Sequence, residues 1–345
     1  MPLWSICLFV ALFSLLLILG LKHIFQKLGL VDKPHEYGIS RKPIPYSVGW
    51  VFLPVTLLLT TFFVQQAGHT IDLKLFSVLL AGSLIMLVSF LDDRFRISPI
   101  IRLSFQIVAA LLVVWGGVHI QQLSNPFGEP FLLDHYSIEI FGQTIWLVSA
   151  ALVVGWLVLS MNVMNWLDGV PGLASGVSTI TFFTLMLLSL QQFHVVDQTL
   201  VIMLSSGLAS ATFVFWFFDF SPPKLLMGDT GSMFLGFMIG IISILAGGKM
   251  ATALLVMGFP VIDAFIVIGR RILKKQSPFK GDYTHLHHRL INSGFSERKT
   301  LVFIYVVCML CGAVALFMPS TTTKMAAFIG IALVMGFVQR KITKR

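Results

Sequence analysis

Apolar residues run in long blocks along this chain, and polar residues crowd into the gaps between the blocks. Eleven blocks stand out, near 3–21, 48–64, 73–91, 99–118, 145–161, 172–190, 199–216, 232–247, 251–269, 301–318 and 325–339. A helix needs about 20 apolar residues to cross a bilayer core, and a helix apolar on every side has no face for water. The pattern predicts an all-α integral membrane protein of about 11 transmembrane helices, with residues 1–345 forming one polytopic domain. The first block lacks a basic leader and a small-residue cleavage site, so it reads as a retained span. Loops 22–47, 92–98, 162–171, 217–231 and 270–300 fall on one side. On the other side, residues 121–143 carry an Asn125-Pro126-Phe127-Gly128 turn and an alternation through Tyr136, Ile138 and Ile140, which predicts a small hairpin.

Charge orients these spans. Of the 24 Lys and Arg residues, all but Lys74, Lys249 and Lys324 lie on the first set of loops. The positive-inside rule makes that set cytoplasmic. The N-terminus is then outside and the C-terminus inside, which requires an odd number of spans. The chain is 57% hydrophobic and 11% charged, against about 25% charged in soluble domains, which excludes a large soluble domain. The net charge of +9 is read as orientation rather than as a nucleic-acid surface. Cys308 and Cys311 form a CxxC inside an apolar run, where packing is the better reading than metal or redox chemistry.

Carboxylates and histidines are scarce, so their positions carry information. Adjacent Asp92 and Asp93 end a span, an expensive place for two like charges. Asn165 and Asp168 are three apart and share a helical face; an amide oxygen and a carboxylate are hard ligands suited to Mg²⁺. Asp229, in Gly228-Asp229-Thr230-Gly231-Ser232, is the best candidate for main metal ligand. The N–H groups of the helix starting there are expected to face a phosphate. Arg41 and Lys42 are candidate phosphate contacts on the first loop, with plain positive-inside charge as the alternative. His285, His287 and His288 lack an accompanying Cys. With Lys274, Lys275, Lys280 and Arg289 nearby they suit an anion better than zinc. Asp263, the one acid well inside a span, is expected to pair with Arg270 or to orient this loop. Hard ligands with basic donors are the kit for phosphoryl transfer, and the absence of a Walker loop argues against ATP as donor. The expected reactants are a soluble phosphate compound and a lipid phosphate.

Four segments in this order carry a resemblance: Leu91-Asp92-Asp93; Asn162-x-x-Asn165-Trp166-Leu167-Asp168-Gly169; Pro222-Pro223-Lys224-x-x-Met227-Gly228-Asp229-Thr230-Gly231-Ser232; and Asp282-x-x-His285-Leu286-His287-His288-Arg289-Leu290. Together they resemble the polyprenyl-phosphate N-acetylhexosamine-1-phosphate transferases (glycosyltransferase family 4). The His-x-His-His form is similar to the WecA and TagO branch rather than to MraY. The resemblance implies transfer of a sugar-1-phosphate, GlcNAc-1-phosphate first of all, from a UDP-sugar to undecaprenyl phosphate, with Mg²⁺ (or Mn²⁺) and release of UMP. It implies a bacterial plasma membrane enzyme that starts an envelope glycan, in contact with membrane lipids but no nucleic acid; a homodimer is a further expectation. Catalytic roles fall to Asp92, Asp93 and Asp168, and metal binding to Asp229, Asn165 and Asp168. Substrate binding falls to Lys42, Asn162, Asp219, Lys280, His285, His287, His288 and Arg289. Two departures stand out: the usual Asp-Gly-x-Asp-Gly has Pro171 at its second acid, and the usual Asn before the Pro pair is Asp219. Asp219 is expected to replace the missing charge. The alternatives are transfer of phospho-MurNAc-pentapeptide, a transporter, or an inactive relative.

Overall fold

The structure is a computed structural model and describes residues 2–37, 41–67, 70–125, 127–191, 197–247, 250–273, 275, 285–318 and 320–343. It is built of helices: α1 (Leu3–Lys27), α2 (Phe52–Ala67), α3 (Leu73–Phe95), α4 (Pro99–Trp115), α5 (Leu147–Leu167), α6 (Leu173–Ser189) and α7 (Thr199–Asp219). After these come α8 (Gly228–Leu245), α9 (Met250–Val256), α10 (Gly258–Leu273), α11 (Leu286–Asn292), α12 (Glu297–Phe317) and α13 (Thr321–Thr343). Among the described residues seven helices are long and apolar enough to cross a membrane: α1, Val48–Gln66, α3, α5, α7, α8 and α12. Together, α9 and α10 pass the same test as one broken span. Shorter apolar helices are α4, α6 and Thr321–Phe337 of α13. The chain is thus an all-α, multi-pass membrane protein.

Local chemistry sets the helix ends. Asp72 caps α3 by accepting the Leu75 N–H at 2.8 Å, and α3 stops where Arg96 turns left-handed at φ 53°. Ser98 caps α4 and Pro99 opens it, where a missing N–H costs nothing. The expected continuous span 251–269 is not one helix: it breaks at Met257, and the two pieces meet at 80°. Pro260 supplies the reason, since it cannot donate back to Val256 across the break.

Helix α8 is the axis of the bundle. Of its apolar window 89% is buried inside the protein, against 22% for α1 at the edge of the bundle. Gly236 lets α5 approach: a Cβ there would lie 2.5 Å from the Ser160 carbonyl oxygen and 2.7 Å from the Met161 Cα. Helices α3 and α5 both pack on α8, which brings Asp92 and Asp93 at the end of α3 and Asp168 just past α5 toward Asp229 at its start.

The predicted hairpin is two small antiparallel pairs. β1 (Gln122–Leu123) pairs with β2 (Phe131–Leu132), and β3 (Ser137–Ile140) pairs with β4 (Gln143–Trp146), which leads directly into α5. Cys308 and Cys311 are buried free thiols on α12, as packing residues should be.

Candidate active site

Asp93, on the last turn of α3, caps α8 across the bundle. Its carboxylate accepts the N–H groups of Asp229 (2.9 Å) and Thr230 (3.2 Å), the Thr230 hydroxyl (2.5 Å) and the Ser47 hydroxyl (2.7 Å). The expectation that these N–H groups face a phosphate is therefore corrected: Asp93 already holds the two at 229 and 230. Gly228 permits the approach. It sits at φ +74°, and a Cβ there would lie 2.6 Å from Asp93 Oδ2, so an L side chain meets both strain and a clash.

Asp92 turns the other way. Arg102, one turn into α4, places Nη1 2.8 Å from Asp92 Oδ2 and 3.0 Å from Asp229 Oδ2. One guanidinium thus balances two carboxylates that come from different helices. By charge count alone Arg102 belongs with the positive-inside set. The usable signal was its place within an apolar helix, where a charge needs a partner.

The end of α5 supplies the opposite wall. Asn165 Nδ2 donates to the Ser232 hydroxyl at 3.3 Å, and the same amide hydrogen-bonds Asp229. Asn162 instead bonds inward, Nδ2 donating to Gln106 Oε1 at 2.7 Å and to the Val158 carbonyl at 2.8 Å. Asp168 stands just past the helix end. Burial, followed by the charges of Asp219, Asp229 and Asp93, pushes its carboxyl well above the usual carboxylate range. Asp219, the last residue of α7, is fully buried. Its Oδ2 accepts the Ser175 hydroxyl at 2.8 Å, and among the described residues its Oδ1 has no hydrogen-bond partner.

The loop before α2 closes the site. Backbone bonds from Leu226 N–H to Pro45 (2.8 Å), Val48 N–H to Leu226 (3.1 Å) and Gly49 N–H to Met227 (3.1 Å) stitch residues 45–49 to the segment leading into α8. They hold Tyr46 among the acids. Burial, then Asp93, Asp229 and Asp168, and a hydrogen bond to Asp93 push its phenol well above the ordinary value. Tyr46 and Ser47 are site residues that the motif pattern did not single out. Arg41 is engaged with Asp32 at 2.6 Å, whereas Lys42 is exposed.

The histidine segment forms α11 and lies against the end of α5. His285 stacks on Trp166 (centroids 5.9 Å apart, 27° between planes), His287 stacks on His285 (5.6 Å, 1°), and His288 packs on His287 at 4.3 Å. A Cβ on Gly169 would be 3.1 Å from His288 Nε2 and 3.6 Å from His287 Nε2, so the bare glycine leaves room for both rings. His287 is buried, and among the described residues its Nε2 has no hydrogen-bond partner. Burial first, then His288 and His285, hold its pKa well below the usual imidazole value, which keeps it neutral. Arg289 extends the same short helix. Lys280 and Asp282 lie outside the described residues. Of the two roles expected of Asp263, the structure shows the second, orienting this segment: Oδ2 is 2.8 Å from His285 Nδ1.

Asp92, Asp93, Asn165, Asp168, Asp219, Asp229 and the histidines thus converge at one end of the bundle. Behind the histidine helix, which contributes Leu286 to its wall, an apolar cavity of about 370 Å³ lies between α10, α11, α12 and α13, lined also by Phe259, Phe303, Val307, Ile331 and Met335 among others. Among the described residues no three His, Cys, Asp or Glu groups form a ready-made metal cage. The groups here that would hold a divalent cation are two carboxylates, Asp168 and Asp229, with the Asn165 amide. Mg²⁺ is commonly held in this way, by one or two carboxylates with waters and substrate phosphates filling the remaining positions.

The family model described as "Glycosyl transferase family 4" matches residues 75–247. That stretch contains every acid of the site and stops before α11. Full-length similarity extends further. A "probable undecaprenyl-phosphate N-acetylglucosaminyl 1-phosphate transferase" of Bacillus subtilis (strain 168) is 30% identical over 94% of this chain and 87% of its own length. A "decaprenyl-phosphate N-acetylglucosaminephosphotransferase" of Mycobacterium tuberculosis (strain ATCC 25618 / H37Rv) is 32% identical over 81% of this chain and 74% of its own. An "undecaprenyl-phosphate alpha-N-acetylglucosaminyl 1-phosphate transferase" of Escherichia coli (strain K12) is 26% identical over 88% of this chain and 81% of its own.

Proposed function

The chain belongs to glycosyl transferase family 4, and from that premise we propose that it transfers GlcNAc-1-phosphate from UDP-GlcNAc to undecaprenyl phosphate and releases UMP. The observation that carries this reading is the meeting of Asp229, Asp168 and Asn165 beside Arg102 and the histidine helix, at one end of a membrane bundle and next to an apolar cavity. A soluble diphosphate and a lipid phosphate need such a boundary to meet.

In the transfer, an oxygen of the lipid phosphate attacks the phosphorus that carries the sugar. The new P–O bond forms as the bond to the uridine-bearing phosphate breaks, and UMP leaves. The attacking phosphate is largely ionised at neutral pH, with a second pKa near about 6 by analogy with phosphorylated side chains, so the site needs no strong base. This suits Asp92 and Asp93, whose hydrogen bonds already commit them to Arg102 and to the start of α8. Asp229, Asp168 and the Asn165 oxygen are the groups to hold Mg²⁺, which would neutralise charge on the transferred phosphate. His285, His288 and Arg289 offer donors on the opposite wall, and neutral His287 can accept as well as donate. The cavity suits part of a prenyl chain. We place this face in the cytoplasm of a bacterial plasma membrane, with the eight candidate spans and the three shorter apolar helices making eleven crossings.

The test is transfer of labelled GlcNAc-phosphate into lipid by detergent-purified protein. Incorporation that needs both UDP-GlcNAc and Mg²⁺ is expected. No incorporation from any UDP-N-acetylhexosamine would refute the reading and favour a transporter or an inactive relative.

A further inference from the structure

One buried ion pair is left unused by that account. Asp263 lies inside the broken span, on α10, and is 2% exposed. A carboxylate there is expensive unless hydrogen bonds satisfy it. Both of its oxygens are engaged with α11. Oδ2 is 2.8 Å from His285 Nδ1, and Oδ1 accepts the backbone N–H of Leu286 at 3.0 Å. Leu286 is the first residue of α11, so this N–H has no partner within its own helix. One carboxylate therefore ties down both the start of the helix and the ring just before it.

The contact also assigns the imidazole. An ionised carboxylate only accepts, so Nδ1 must carry the proton. Nε2 is then the nitrogen presented to a ligand. Trp166 fixes the plane of the ring from the other side, and Trp166 neighbours Asn165 in the metal-binding segment. A buried acid, a helix start and an aromatic plane together hold one imidazole in one orientation beside the phosphate site. We propose that Asp263 is a positioning residue for the transfer: it holds His285 as the charged partner of this ion pair, with a proton on each ring nitrogen, so that Nε2 donates to a phosphate oxygen of the nucleotide-sugar. The role rests on the transferase reading. It explains why a costly acid stands within a span, and it uses the bend at Met257, which brings α10 beside α11.

Two kinds of substitution separate this role from a merely structural one. His285→Asn keeps a donor where Nδ1 stands and removes Nε2; His285→Gln keeps a polar group near Nε2 and loses the bond to Asp263. The measurement is steady-state kinetics of purified wild type, His285→Asn, Asp263→Asn and the double variant, with thermal melting of each. His285→Asn should melt like the wild type yet lose about tenfold or more in kcat/KM for UDP-GlcNAc, while its KM for undecaprenyl phosphate stays within about twofold. Asp263→Asn should show the same selectivity, and the double variant should be no worse than His285→Asn alone. Wild-type activity in His285→Asn would overturn the role by itself, even if Asp263→Asn failed to fold. Losses that add in the double variant, or that fall equally on both substrates, would overturn it too. An inactive wild type would overturn the transferase reading, and this role along with it.

Discussion

Single residues decide how the acid centre responds to protons. Asp168 binds its proton more tightly than an ordinary carboxylate because it is buried and faces Asp219, Asp229 and Asp93. A divalent cation needs the ionised form, so its binding weakens as pH falls, and it does so above the usual carboxylate range. Activity should therefore drop on the acid side in that higher range, and more Mg²⁺ should move the drop to lower pH. A pH–rate profile at two Mg²⁺ concentrations checks this; an acid limb at ordinary carboxylate pH, indifferent to Mg²⁺, would refute it. Asp219 belongs to the same field and stands one hydrogen bond from Ser175, near the turn where Pro171 takes an acid's usual place. Asp219→Asn should lower kcat by about tenfold. Full activity in that variant beside a dead Asp168→Asn would show that the charge at 219 replaces nothing. These acids were legible in the sequence because an apolar chain makes each carboxylate conspicuous. What each carboxylate bonds was not legible. The Asp93 cap joins residues on α3 and α8, Arg102 joins α4 to both, and Asp263 reaches His285, 22 residues on. Such pairings come from packing, which no local spacing encodes.

Elements place those residues, and α8 does most of the placing. Its start carries Asp229 and is capped by another helix, so α8 cannot shift along α3 without breaking the cap. Its glycines set the distance to α5 and hence the reach from Asp229 to Asn165. Gly236→Val would drive a side chain into the Ser160–Met161 backbone. Overpacking of this kind costs about 1–3 kcal/mol, so the variant should melt lower in detergent and lose activity although residue 236 is remote from the acids. An unchanged melting temperature would mean that the close approach is not needed. Most span positions could be read from apolar length alone. The bend at Met257 could not, because the run 251–269 stays apolar through it; only Pro260 hinted at the break. The outer hairpin was legible from its alternation, but its division into two pairs was not.

At the scale of the molecule, the proposed orientation rests on the distribution of Lys and Arg, and the side assigned to the acid centre follows from it. Cysteine introduced at Phe141, a 90% exposed tip residue of the β3–β4 turn, should react in intact cells with a membrane-impermeant maleimide. A cysteine at Arg94, on the acid-centre side, should react only after lysis. The reverse pattern would invert the protein and place the acid centre where no cytosolic nucleotide-sugar reaches it. The whole account then depends on one coupling: chemistry at the start of α8 must join a soluble donor to a lipid acceptor. The most direct measurement is UMP release by purified wild type and by Asp229→Ala, each given UDP-GlcNAc, undecaprenyl phosphate and Mg²⁺. Release by the wild type that stops when the lipid or the metal is omitted, with none from Asp229→Ala, is the predicted result. Release that continues without the lipid, or Mg²⁺-dependent turnover that survives in Asp229→Ala, would contradict it.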